Sequence, residues 1–117
     1  MANSIMLNKA KDFAVDIVNL CNQLKGEKKQ IVLLNQLIRS GTSVGANIHE
    51  SKYAQSTADF VSKMKIALKE CYETEYWLEL FSKTSILSEE QCKALKNNCG
   101  KIRKLLISSI NTAKANS

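Results

Sequence analysis

Between Gln30 and Ser51 one row of polar side chains invites a test for chemistry: Gln36, Arg39, Ser43, Asn47 and Glu50, spaced at steps of 3, 4, 4 and 3. Such spacing places them along one side of a helix. Catalysis there would need a nucleophile beside a base, paired carboxylates, or a metal shell. Ser43 and His49 lie about 120° apart around a helix axis, so they cannot form a dyad within it. Arg39 and Glu50 sit about three turns apart, too far to pair along one helix. Partners elsewhere, such as Glu70, Glu73, Lys65 or Lys69, remain open to them. The row reads as a buried polar network that fixes helix register, or as a subunit contact, in preference to a catalytic site.

Other candidate groups are weaker as chemistry. Cys21, Cys71, Cys92 and Cys99 show no C-x-x-C spacing, and one histidine adds little. They read as buried, reduced thiols acting as small hydrophobes. Glu70, Glu73, Glu75 and Glu79 crowd one stretch, but the Glu-x-x-His pairs of metal-binding bundles are absent. Neither metal nor cofactor is implied. Gly41 and Gly45 do not make a phosphate loop, since no strand precedes them and no lysine follows in place. They mark a point where another helix approaches closely.

Charge is the stronger signal. Residues 93–117 contain Lys93, Lys96, Lys101, Arg103, Lys104 and Lys114 and no acid, which equals the net charge of +6 for all 117 residues. That asymmetry suits a polyanion held by phosphate contacts. No aromatic interleaving, zinc finger or helix-turn-helix supports reading of bases.

Helices must position these groups. The chain has no proline and only four glycines. A first helix is predicted from Ile5 to Leu24, with core residues Ala10, Phe13, Ile17, Leu20 and Leu24, Ala14 and Cys21 beside them, and Gly26 as its cap. A second runs from about Glu27 to Lys52 around Leu33, Leu37, Val44 and Ile48. With Arg39 and Glu50 its only full charges between Gln30 and Ser51, it reads as enclosed on most sides. Ser56 or Thr57 caps a third, whose seam is Phe60, Met64, Ala67, Cys71, Thr74, Leu78 and Phe81. Val61, Leu68, Tyr72, Tyr76, Trp77 and Leu80 widen its apolar surface. A capping box at Ser88–Gln91, with Leu87 and Cys92 as a hydrophobic staple, opens a fourth. Its core face is Cys92, Leu95, Cys99, Ile102, Leu106 and Ile110, and Gly100 suggests close packing there. The fold class predicted is all-α, an antiparallel up-down-up-down four-helix bundle forming a single domain over 1–117. No membrane span or signal-peptide core is present, so a cytoplasmic protein is expected.

The segments QLIRSGTSVGANIHES and FVSKMKIALKECYETEYWLEL resemble a bacterial four-helix bundle family encoded within intervening sequences of 23S ribosomal RNA genes, also labelled S23-type protein. The likeness rests on Gln36, Arg39, Ser43, Asn47, Ile48 and Glu50, then Phe60, Ala67 and Glu70, and covers essentially the whole chain. Ser51 stands where the family usually has glycine. The family is similar to the accessory protein of diversity-generating retroelements, a barrel-shaped homopentamer that binds nucleic acid and a reverse transcriptase. The resemblance therefore implies a homopentamer with a positive surface and no catalytic residues. The expected function is a non-enzymatic oligomer that binds structured RNA or DNA through Lys93, Lys96, Lys101, Arg103, Lys104 and Lys114. Gln36, Arg39, Ser43, Asn47, Glu50 and Glu70 would hold the bundle or the subunit interface. The alternative is a scaffold or accessory subunit for a nucleic-acid enzyme such as a reverse transcriptase.

Overall fold

The computed structural model describes residues 2–24 and 28–117. Its helices are α1 (Ala2–Gln23), α2 (Lys28–Ser51), α3 (Thr57–Lys83) and α4 (Glu89–Ala115). They form an all-α, up-down-up-down bundle 48 Å long and about 20 Å across. Among the described residues there is no strand. Cross-helix contacts fix the antiparallel sense. Glu75 meets Arg103 while Glu79 meets Lys96, so advancing along α3 means retreating along α4. Likewise Gly41 faces Ile17 while Gly45 faces Ala10 on α1. α1 packs well on α2 and only sparsely on α4.

The predicted seams account for most of the core. All six residues predicted for the core face of α4 are buried, as are six of the seven on α3; Phe60 is half-buried. On α1, Ala10, Phe13, Ile17 and Cys21 are buried while Leu20 and Leu24 are partly covered. The core also takes in Met6 and Leu7, before the predicted face begins. The Gly26 cap and the Glu27 start of the second helix lie outside the described residues.

Two expectations change. α2 is not enclosed on most sides within the chain: Val32, Asn35, Arg39, Ala46, His49 and Glu50 are exposed along its outer side. Because α1 and α3 grip it from two directions, its covered arc is wide and includes Leu34, Ser40, Gly41 and Gly45, while Leu33 is only half-buried. Gly100 is not at a close contact either. A β-carbon there would meet only the Arg103 guanidinium, at 3.5 Å. Gly41 is the true point of close approach, since a β-carbon would lie 3.3 Å from Ile17, which is fully buried.

The helix ends are settled by local chemistry. Ser56 caps α3 by accepting a hydrogen bond from the Asp59 amide, and Ser88 with Gln91 closes the reciprocal box at α4. Both staple residues, Leu87 and Cys92, are buried. Ser51 ends α2 without a left-handed backbone. Its hydroxyl donates to the Ile48 carbonyl at 2.6 Å, so the turn there needs no glycine.

At the end of α3 the Ile86 amide donates to the Phe81 carbonyl and the Ser85 amide to Ser82, with Ser85 at φ 61°. This is the Schellman arrangement with serine at the left-handed position that favours glycine. Ser85→Gly should therefore raise stability by about 0.5–1 kcal/mol. Gly100→Ala, meeting only the Arg103 guanidinium at ordinary contact distance in mid-helix, should add about 1 kcal/mol. Urea midpoints at constant slope would check both, and a loss of stability in either variant would refute the corresponding reading.

Candidate functional site

The polar row of α2 divides when its partners are traced. Arg39 reaches across to α3, donating to Glu73 through one guanidinium nitrogen and lying 3.5 Å from Glu70 through the other. Glu73 also accepts from the Trp77 indole at 3.0 Å. Ser43 and Asn47 instead donate back to α2 carbonyls, those of Arg39 and Ser43. They act within their own helix and do not extend a cross-helix network. Gln36 forms no side-chain hydrogen bond among the described residues. Glu50 faces a shallow open groove between α1 and α2, with Lys11, Thr42 and His49, and that groove includes neither Arg39 nor Asn47. The row therefore presents a cross-helix clasp at Arg39 and locally bonded side chains at Ser43 and Asn47.

Beneath the clasp the sequence missed a buried contact. The Thr74 and Ser40 hydroxyls lie 3.0 Å apart, with the Glu70 carbonyl 2.7 Å from Thr74 as an acceptor. Both residues are fully buried, and no buried side-chain polar atom among the described residues lacks a partner. Ser40 was concealed by its place in a run of small residues, where type alone does not show which side is inward.

The cysteines are all buried and free. Burial pushes the Cys21 thiol up to about 11 and raises Cys92 as well. Cys71 is raised by its hydrogen bond with Cys99 and then by burial. Held as thiols, Cys21, Cys71 and Cys92 are poor nucleophiles and poor metal ligands. Among the described residues no three His, Cys, Asp or Glu side chains converge as a metal site.

The six cations near the C-terminus separate into two groups. Lys96 donates to Glu79 at 2.8 Å and Arg103 to Glu75 at 3.0 Å, which commits both to α3. Lys93, Lys101, Lys104 and Lys114 are exposed and form no ion pair among the described residues. The fold also reverses the absence of aromatic interleaving. Tyr72 and Tyr76 of α3 are 50% and 58% exposed, and the Arg103 guanidinium lies over the Tyr72 ring, 5.6 Å from its centre. α3 alone gave no sign of this, because the cation comes from the neighbouring helix.

The sequence matches the family described as 23S rRNA-intervening sequence protein over residues 2–108. It is 50% identical to a Bacteroides thetaiotaomicron protein of unknown function from the S23 ribosomal protein family, solved by crystallography. The match has a TM-score of 0.90 and covers 95% of this chain and 99% of that one. A comparison with curated proteins found no match. Among the described residues no helix is long and apolar enough to cross a membrane.

The clasp has a built-in reporter, since Trp77 is the only tryptophan. The Trp77 hydrogen bond and then the Arg39 guanidinium hold the Glu73 carboxyl below the usual carboxylate range. A depressed folded value means that this contribution to stability is complete above the ordinary carboxylate range and is lost as pH falls through the lowered value. Trp77 emission should therefore stay constant on acidification through the ordinary range and change only below it. Glu73→Gln should remove that step, and its survival in the variant would place its source elsewhere.

Proposed function

The chain belongs to the 23S rRNA-intervening sequence protein family, and we propose that it is a non-enzymatic homo-oligomer that binds structured RNA or DNA by phosphate contact. One observation carries this reading: Lys93, Lys101, Lys104 and Lys114 lie exposed on α4, outside every ion pair among the described residues. No acid follows Glu90 in the sequence, so the carboxylates near them are Glu89 and Glu90 beside Lys93 and Asp12 and Asp16 of α1 beside Lys101. Four lysines along one rod suit a polyanion better than a compact anionic metabolite. Lys96 and Arg103 contribute less, because Glu79 and Glu75 already satisfy them. The open groove near the α3–α4 turn is unsuited to an anion, as Glu89 and Glu90 line it together with Lys83 and Lys93.

Assembly is supported by the outer side of α2. Val32 is 64% exposed and Tyr53 just beyond the helix is 74% exposed, with few charges between them. The two stand at opposite ends of α2, and a contact between copies along that helix would cover both. A pentamer is the order implied by the likeness to the retroelement accessory protein. The basic faces would then be repeated around the assembly, multiplying weak phosphate contacts.

Two measurements test the reading. Binding of a labelled RNA hairpin should weaken steeply with salt, with a logarithmic slope of about −3 for four phosphate contacts. Lys101→Gln and Lys104→Gln should each reduce that slope by about 1. Absence of binding at low salt would overturn the reading. Light scattering should give a multiple of the 13.1 kDa chain mass, five-fold for a pentamer, and a monomer throughout the micromolar range would overturn the assembly.

A further inference from the structure

The outward stripe of α3 contains Lys65, Lys69, Tyr72 and Tyr76, all exposed. At about 100° per residue these four fall within about 60° of one another, so they form one line along the helix. Two of the α4 cations, Arg103 and Lys114, reach it. Arg103, anchored by Glu75, stacks over Tyr72. Lys114 lies against Lys65, and contact with it followed by charge repulsion draws Lys65 below the usual lysine range. Two ammonium groups crowded in this way leave a repulsion that a bound anion would relieve. The acids nearest this surface are already engaged: Glu75 with Arg103, and Glu79 with Lys96. At position 100 no side chain rises beside Arg103, leaving the surface low there.

Exposed tyrosines are difficult to explain as phosphate binders. A phosphate needs only lysine or arginine, whereas a half-exposed ring flanked by cations offers a flat face to a nucleobase. Tyr72 and Tyr76 are one turn apart, about 6 Å along the axis, so each can serve a separate base. Duplex bases keep their faces covered by their neighbours, which makes unpaired nucleotides the fitting occupant.

We infer that the α3–α4 face bearing Tyr72, Tyr76, Lys65, Lys69, Lys104 and Lys114 is a stacking platform for unpaired nucleotides of a single-stranded or looped nucleic acid. The inference rests on the nucleic-acid reading above and specifies which part of the ligand this face would hold. Phosphates would run along the lysines while bases lie against the two rings, with Arg103 backing Tyr72. An acidic peptide would match the lysines but would gain little from the rings. A second copy of this chain could offer the lysines its exposed Asp12 and Asp16, and the solution mass of the tyrosine variants separates that case.

The test uses the full chain, a labelled single-stranded oligouridine and an RNA duplex of equal phosphate count. Tyr72→Ala and Tyr76→Ala should each weaken single-strand binding about tenfold, with duplex binding and salt slope unchanged. Tyr72→Phe and Tyr76→Phe, which keep the ring, should bind as the unsubstituted protein does. If the alanine variants bind the single strand normally, or lose single strand and duplex equally, the platform is refuted while phosphate binding stands. If the unsubstituted protein binds neither RNA at low salt, both readings fall together. A drop in solution mass for Tyr76→Ala would refute the platform in favour of a contact between copies. Polyglutamate binding that the same variants weaken would refute it in favour of an acidic protein partner. Both tyrosines are exposed, so circular dichroism should be unchanged, and the phenylalanine pair separates ring loss from misfolding.

Discussion

The position of α1 depends on the bare backbone of α2. α1 touches α4 only sparsely, so α2 must hold it. Close approach is possible because Gly41 leaves room for Ile17, 3.3 Å from where a β-carbon would stand, whereas at Gly45 a β-carbon would meet Ala10 at an ordinary 3.5 Å. Dispersion forces fade within about an ångström of separation, so a side chain in this seam would weaken the whole α1 contact. Ile17 is β-branched and fully buried, with little freedom to move aside. This constraint explains why α2 carries small residues where a helix-forming sequence would place alanine or leucine. It also lets α2 pack against both α1 and α3 while its remaining side stays outward.

The distribution of charge follows from the same geometry. α3 is the acidic helix between two neighbours that present cations, and its carboxylates are used across both seams: Glu70 and Glu73 toward Arg39, Glu75 toward Arg103, Glu79 toward Lys96. Exposed pairs of this kind contribute little to stability, about 0–1 kcal/mol each. Their greater effect is on what remains. By occupying Lys96 and Arg103 they orient those side chains along the α3–α4 seam, and the unpaired lysines of α4 are left to dominate its outer side. Arg103 gains a second role from being fixed, since a guanidinium held by Glu75 lies over Tyr72, 5.6 Å from its ring centre.

Much of the fold was legible in the sequence because burial on a helix follows its periodicity. The step pattern from Met64 to Phe81, and that from Cys92 to Ile110, identified buried positions without any knowledge of neighbours. Caps were equally readable, as Ser56 and Ser88 act on amides within their own turn. Residues whose environment is set by two neighbours at once were harder. Leu33 and Leu34 are adjacent in sequence, about 100° apart around the helix, and only the joint grip of α1 and α3 decides that Leu34 is the buried one. Gly100 was misread because glycine in a helix signals a close approach only where a partner exists on that side. Ser85 gave no sign at all of its left-handed backbone, since the residue usually found there is glycine.

The candidate site was partly hidden for a related reason. Periodicity reports which side of a helix faces outward, but not which outward stripe of another helix lies next to it. The cations of α4 were visible as a cluster because they are close in sequence. Tyr72 and Tyr76 are as exposed as many surface lysines, yet on α3 alone they resemble surplus apolar area. Their meaning comes from Arg103, 31 residues beyond Tyr72 in the chain and stacked over its ring. A bundle can thus build a surface of mixed chemistry from two helices, one supplying rings and the other supplying charge. Neither helix shows the combination by itself, and only the antiparallel register of α3 against α4 brings its parts together.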